Sequence, residues 1–295
     1  MTDIVEAASP ADLDATGLAA TGLDAATTRL RALLADVGPL VVAFSGGADS
    51  AFLAWVATDV LGADRVRCAT AVSPSLAGSE LDDCRALATE WGLSWEPVTT
   101  TELDLDAYRA NDSDRCYWCK QALSDALAPL AEATGGTIVL GVNVDDLGDH
   151  RPGQRAAEER GAWFPLVDAG FTKAMVREAS RRAGLRTADK PAAACLASRV
   201  PYGTPVTLGV LREVEAAEAG LKALGFDDLR VRHYRESARI EVPIERLAEV
   251  VERRIAVIEA VRAAGYRYVT LDLEGLRSGN LNIGAISENA PRVAL

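Results

Sequence analysis

The chain has 295 residues, 31 of them basic and 43 acidic, for a net charge of −12. That balance argues against a broad electrostatic surface for nucleic acid or anionic membranes, so neither is expected as a partner. With 49% hydrophobic and 25% charged residues, the composition is that of a soluble globular protein with room for one large domain or two modest ones. No stretch approaches the length of a membrane span, and the first residues show no basic-then-apolar signal pattern, so neither a span nor a signal peptide is expected. Five cysteines, an odd number, do not suggest a disulfide framework, and a reducing cytoplasmic location is expected.

Taken in order, residues 1–22 are rich in Ala, Asp, Thr and Gly with weak periodicity, and read as frayed or disordered. Leu23, Leu30, Leu33 and Leu34 then make a helical stripe that Gly38 and Pro39 end. Val41, Val42, Ala43 and Phe44 form a buried-strand pattern. It runs into a Ser-Gly-Gly-x-Asp-Ser turn and a helix stripe of Phe52, Leu53, Val56, Val60 and Leu61. Next come a strand at 66–72, a helix from 79 to about 92, a strand at 95–98, a helix from 119 to about 130 and an apolar strand at 137–142. Strands and helices alternating in this way predict the α/β class, a parallel sheet with helices on both faces. Residues 149–162 read as a polar loop or short helix, and 172–184 as a helix whose basic last turn (Arg177, Arg181, Arg182) suits its dipole. The pattern then changes to a helix (207–224), two strands (229–234 and 238–242), one helix (243–264) with Pro243 opening it, and a strand (266–273). The expected division is a disordered segment at 1–22, a sheet domain at 23–190 and a smaller α+β domain at 191–295.

The turn after the first strand is the most informative stretch. Gly46 and Gly47 can take positive φ and let a polyanion approach the backbone. Ser45 and Ser50 add hydroxyl donors, and the helix start offers unpaired amides to phosphate. Asp49 beside a phosphate would repel it unless a divalent cation lies between, which suggests magnesium. No Lys follows the glycines, so this is not a Walker A loop. It resembles the pyrophosphatase loop (PP-loop) of enzymes that split ATP between the α and β phosphates, which implies that Ser45, Gly46, Gly47, Asp49 and Ser50 bind ATP. A second charged element, 141–153, follows the fourth strand at the same sheet edge. There Asp146 could help hold magnesium and Arg151 could face pyrophosphate with its planar fork.

Two thiol segments complete the inventory. Cys116 and Cys119 form a Cys-x-x-Cys at a helix start, where the amides and the adjacent Arg115 and Lys120 favour thiolate. A redox dithiol, half of a zinc site and part of an iron–sulfur site all remain open on this spacing. Cys195 lies in a loop of small residues between Pro191 and Pro201, beside Ser198 and Arg199. Cys68 and Cys84 fall in the strand and helix patterns and read as inert core cysteines.

Together, SGGADS, GVNVDDLGDHRPG, RCYWCK and KPAAACLASRVPYG resemble the ATP-dependent sulfur transferases of nickel-pincer nucleotide biosynthesis, the LarE family. The resemblance covers roughly residues 25–285. It implies a PP-loop ATP pyrophosphatase domain and a C-terminal domain for substrate binding and oligomerisation. The implied reaction is adenylylation of a carboxylate of a small anionic substrate, pyridinium-3,5-dicarboxylate mononucleotide, followed by conversion to a thiocarboxylate. Cys195 is the implied sulfur-handling catalytic residue, Ser198 and Arg199 its helpers, and Arg230 and Arg232 the implied grip on the substrate phosphate. Cys116 and Cys119 match a three-cysteine branch in which, with Cys195, they would hold a [4Fe-4S] cluster that delivers sulfide. The other route sacrifices Cys195 itself. The resemblance further implies a homo-oligomer, a hexamer, with Glu218 and Glu241 near a metal at a symmetry axis. A PP-loop tRNA thiolase and a non-catalytic nucleotide sensor are the alternatives.

Overall fold

A computed structural model describes residues 10–147, 152–191 and 194–277. In chain order the elements are α1 (Pro10–Ala35), β1 (Leu40–Ala43), α2 (Ala48–Leu61), β2 (Val66–Val72), α3 (Gly78–Glu90) and β3 (Trp95–Thr99). Then follow α4 (Asp106–Arg109), α5 (Arg115–Thr134), β4 (Thr137–Leu140), α6 (Pro152–Glu158), α7 (Pro165–Asp168) and α8 (Lys173–Arg182). The chain continues with α9 (Leu208–Ala223), β5 (Arg230–Tyr234), β6 (Ser237–Glu241), α10 (Leu247–Glu252), α11 (Arg254–Ala263) and β7 (Tyr268–Leu271).

The chain divides into two compact units. The first comprises the chain up to Ala71, Ser79–Thr100 and Lys120–Ala193; the second comprises Val72–Gly78, Thr101–Cys119 and the chain from Ala194 onward. A single linear cut near residue 190 cannot express this, because two short excursions from the first half join the second unit. One of them carries Cys116 and Cys119.

The first unit is built on a four-stranded sheet in the order β3-β2-β1-β4, with β1 parallel to both β2 and β4. Leu40, Val41 and Val42 of β1 are buried, as a central strand covered on both faces requires. One face packs with Leu30, Leu34, Phe52, Leu53, Val56 and Phe171, the other with Leu123 and Leu127. Each such side chain contributes roughly 1.5–3 kcal/mol when fully buried. The α/β parallel-sheet expectation therefore holds. Helix α1 starts at Pro10, earlier than the stripe at Leu23 suggests and within the segment expected to be disordered; proline is tolerated at the first helical position.

The second unit carries a sheet in the order β5-β6-β7, antiparallel between β5 and β6 and parallel between β6 and β7. Helices α9 and α11 cover it through Leu221, Val257 and Val261, which pack with Phe226, Val231 and Ile240. The helix expected over 243–264 is instead a 3-10 turn (Ile244–Arg246) followed by α10 and α11, with the break at Arg253. No Gly or Pro marks that break; Arg253 holds Glu249 at 3.0 Å and lies over the Phe226 ring.

Candidate functional site

In the first unit, the turn at residues 45–47 connects the carboxyl end of β1 to α2. Gly46 has φ +68°, and a Cβ there would stand 2.9 Å from Cys84 Sγ, so this position requires glycine. Gly47 caps α2 without a side-chain hydrogen bond to its first-turn amides. The Ser50 hydroxyl accepts from Ser45 N (3.2 Å), lies 3.0 Å from Ser45 Oγ and donates to Gly47 O, which fixes the curve of the turn. Such a turn, ending in open helix amides, is chemically suited to a phosphate chain.

The end of β4 comes directly against this helix start. A Cβ on Gly141 would stand 2.6 Å from Ser50 N, so only glycine permits the approach. Beyond it, Asn143 caps a 3-10 turn (Val144–Asp146) in a reciprocal arrangement. Its Oδ1 accepts from Asp145 N at 3.0 Å, while Asp146 Oδ2 accepts from Asn143 N at 3.3 Å. Asn143 Nδ2 donates to Asp49 Oδ1 at 3.1 Å. Burial raises the Asp49 carboxyl above its ordinary range; the Asn143 hydrogen bond opposes that, the Asp146 charge adds to it, and Lys173 and Arg177 oppose it. The two carboxylates thus share one locale, as magnesium sites built from one or two carboxylates plus substrate phosphates require. Asp49 and Asp146 fit that ion. Arg151 lies outside the described residues.

Lys190 braces the same turn from below. Its ammonium donates to Gly46 O (3.2 Å), Glu80 (2.8 Å) and Asp83 (2.7 Å). Burial alone would weaken that charge, but the two carboxylates outweigh it and hold Lys190 above its ordinary value. Burial pushes the Cys68 thiol up to about 12 and also raises Cys84, consistent with inert core cysteines.

The second unit gathers Cys116, Cys119, Cys195, Ser198, Arg199, Arg230 and Arg232. Cys116 and Cys195 are exposed, Cys119 is half-buried, and none of the five cysteines is in a disulfide. Arg115 is the buried link between the two thiol segments. Its Nη1 donates to Asn111 Oδ1 (2.5 Å) and Ala197 O (2.8 Å), and Asn111 Nδ2 donates to the carbonyls of Val200, Pro201 and Thr204. Burial would weaken the Arg115 charge; the nearby Cys195 and Cys116 sulfurs, with Tyr108 and Tyr202, more than restore it. Tyr108, hydrogen-bonded to Ser75 at 2.6 Å, is raised by burial and by the neighbouring Cys195, with smaller contributions from Cys119 and Glu102. Cys116 and Cys195 thus act on Arg115, and Cys195 and Cys119 on Tyr108. Among the described residues, however, no three His, Cys, Asp or Glu side chains stand close enough to hold one metal ion.

Arg199 underpins Cys195. Its guanidinium grips Glu218 (2.8 and 3.3 Å) and donates to Ala194 O (2.7 Å), while Ser198 Oγ accepts at 3.0 Å. Arg232 is 3% exposed and equally committed, with Glu241 at 3.1 and 2.9 Å and Ser198 O at 2.8 Å. Arg230, on the same β5 strand, is half-buried and donates to Arg277 O. Burial, then Arg232 and Arg199, lowers its value; Glu241 and Glu218 partly offset this. The structure therefore separates the two arginines expected to act together: Arg232 is a buried strut, and Arg230 keeps capacity for an anion. Glu218 and Glu241, expected near an inter-subunit metal, are buried in these ion pairs instead.

Asn143, Lys173, Lys190, Asn111 and Tyr108 carry this geometry without having been picked out as site residues in the sequence. Asn143 and Lys190 lie inside the diagnostic segments, so proximity to a motif was the usable signal. Nothing local marks Asn111 or Tyr108.

No protein-family profile matches the chain. A pyridinium-3,5-bisthiocarboxylic acid mononucleotide synthase of Lactiplantibacillus plantarum is 38% identical over 254 residues, covering 86% of this chain and 92% of the relative. The chain belongs to the LarE family. An uncharacterised protein of Synechocystis sp. is 44% identical over 88% of this chain and 98% of its own length. A further uncharacterised protein, from Methanocaldococcus jannaschii, is 25% identical over 81% and 91%. Among the described residues, no helix of this LarE-family chain is long and apolar enough to cross a membrane.

Proposed function

We propose that this protein is an ATP-dependent sulfur transferase. It adenylylates a carboxylate of pyridinium-3,5-dicarboxylate mononucleotide and converts it to a thiocarboxylate. The observation that carries this reading is the 38% identity across 92% of the named mononucleotide synthase. The first unit supports it with a glycine turn and open helix amides for phosphate, and the second with an exposed Cys195 on a braced loop.

In the first half-reaction a substrate carboxylate oxygen attacks the α phosphorus of ATP, and pyrophosphate leaves. Ser45, Gly46, Gly47 and Ser50 orient the phosphates, and Asp49 and Asp146 would hold magnesium, which neutralises phosphate charge when bound. In the second, sulfur attacks the acyl carbon and AMP leaves with the electrons of the broken C–O bond. The Cys195 thiolate can do this with the chain's own atoms. Removal of its Cα proton then breaks the Cβ–S bond, which leaves a thiocarboxylate on the product and dehydroalanine in the chain. Arg230 suits the substrate phosphate.

An iron–sulfur cluster held by Cys116, Cys119 and Cys195 belongs to the same proposal as the alternative sulfur source. When bound, it would supply the sulfide in place of the Cys195 sulfur. Cytoplasmic location and assembly into a homo-oligomer, a hexamer by family resemblance, are also proposed.

The test mixes protein, magnesium, ATP and the dicarboxylate nucleotide. Pyrophosphate and AMP release should depend on the nucleotide, and Cys195→Ala should keep the release while losing thiocarboxylate. Intact mass separates the routes: sacrifice removes about 34 Da per chain, the mass of hydrogen sulfide. Anaerobic iron and sulfide analysis tests the cluster. Nucleotide-independent ATP cleavage, or none under any of these conditions, overturns the reading.

A further inference from the structure

Lys173 is the first residue of α8, behind the Thr172 cap. Its backbone N donates to Asp145 Oδ2 at 2.8 Å, which pins the start of this helix to the turn after β4. Its ammonium lies 2.9 Å from Asp146 Oδ1, and it also favours the charged form of Asp49. Asp146 is 8% exposed at its side chain, whereas that of Lys173 is 48% exposed. A buried carboxylate is thus neutralised by a cation with one side open to solvent. Among the described residues, Arg177 also favours the charged form of Asp49, but it is committed to Ala188 O (2.8 Å) and Lys190 O (3.2 Å). Asn143 supplies a dipole but no charge.

We infer that Lys173 is a stand-in for the divalent cation: its ammonium balances Asp146 and Asp49 until nucleotide arrives, then turns to the phosphates as the metal takes its place. The physical argument is one of exchange. A free divalent ion must expel the ammonium from Asp146 and leave it without an anion. When the ion arrives with a phosphate chain, the chain gives the lysine a new partner, because an ammonium on a four-carbon stem is a movable point charge that binds phosphate well. Metal and nucleotide binding therefore become cooperative, and the site resists metal alone.

This inference rests on the proposed ATP site, so its test uses a metal titration without nucleotide or turnover. Manganese(II) is the probe, followed by electron paramagnetic resonance, with native folding checked by circular dichroism. Lys173→Met should bind manganese about tenfold more tightly than the wild type, within the usual range of site coupling. Asp146→Asn in that background should remove the gain. Lys173→Arg, which keeps the charge, should stay weak. Should the methionine variant fail to fold, Lys173→Gln takes its place with the same expectation. Unchanged or weaker manganese binding in a folded neutral variant overturns the inference, as does an arginine variant that binds like the neutral one. Loss of ATP cleavage in the wild type would instead count against the enzymatic reading and leave this titration intact.

Discussion

Gly141 approaches Ser50 so closely that a Cβ on residue 141 would stand 2.6 Å from the Ser50 backbone nitrogen and 2.8 Å from Asp49 C. The contact is with backbone at the start of α2, which cannot swing aside as a side-chain tip can. Gly141→Ala must therefore push the helix start away from β4. The expected result is a loss of about 1–3 kcal/mol in urea unfolding, typical of overpacking. ATP affinity should fall at least tenfold, read by calorimetry, because Ser50 and Asp49 move with the helix. Unchanged ATP affinity would mean that the helix start does not contact nucleotide.

Asp49→Asn separates catalysis from stability. Burial raises the Asp49 carboxyl above 3.8, so the folded chain disfavours its charged form. Above the unfolded value, the unfolded chain gives up this proton more readily than the folded one, and stability falls as pH rises through the folded value. The amide carries no such cost, and its oxygen can still accept from Asn143. The variant should be no less stable than the wild type at pH 7, with its relative advantage shrinking toward pH 3.5. Pyrophosphate release should fall by two orders of magnitude or more, roughly what loss of one preorganised electrostatic contact costs. Parallel urea titrations at the two pH values check the first point and a pyrophosphate assay the second.

The glycine turn after β1 was legible in the sequence because its requirements are local. An apolar strand, two glycines and a helix stripe must be contiguous to make it, and Ser45, Asp49 and Ser50 stand where the pattern places them. The parallel sheet was legible for the same reason, from the alternation of apolar runs with helical stripes. The second unit was less so. Its thiol segment at residues 116–119 and its loop at 195 are distant in the chain, and Arg115 joins them through the carbonyl of Ala197, a contact without local pattern. Likewise, Arg230 and Arg232 stand two apart on β5 and so share one strand face. Which of them a carboxylate engages is not given even by register: Glu241 stands opposite Arg230 across the β5–β6 pair, yet it is Arg232 that reaches it diagonally, at 3.1 and 2.9 Å.

Arg199 and Glu218 form a buried pair whose halves depend on each other. Removing one partner strands the other's charge, which costs about 3–5 kcal/mol for a buried pair. Arg199→Met should therefore destabilise strongly in urea. The double variant Arg199→Met, Glu218→Met should recover most of that loss, since matched apolar replacement of buried pairs is often near neutral. The guanidinium also holds Ala194 O, so the double variant should still show faster hydrogen exchange at residues 194–199 than the wild type. Recovery of stability together with wild-type exchange would show that Arg199 does not brace the Cys195 loop.

Arg230 and Arg232 make opposite predictions from neighbouring places on one strand. Arg232 is ringed by Glu241 and Ser198 O, so Arg232→Gln breaks a buried pair and should cost about 3–5 kcal/mol of stability before any effect on substrate can be read. Arg230 donates to Arg277 O, and its charge is already disfavoured by burial and by Arg232 and Arg199. An incoming phosphate would relieve that cost with a charge-assisted contact worth about 1.5–3 kcal/mol. Arg230→Gln should keep the unfolding midpoint within about 0.5 kcal/mol, as substitutions outside buried networks do. It should raise the KM for the phosphorylated substrate by roughly tenfold or more, since 1.4 kcal/mol is a factor of ten in binding. The KM for ATP should not move. A substrate lacking the phosphate should show no difference between this variant and the wild type, and a difference there would assign Arg230 a role other than holding that group.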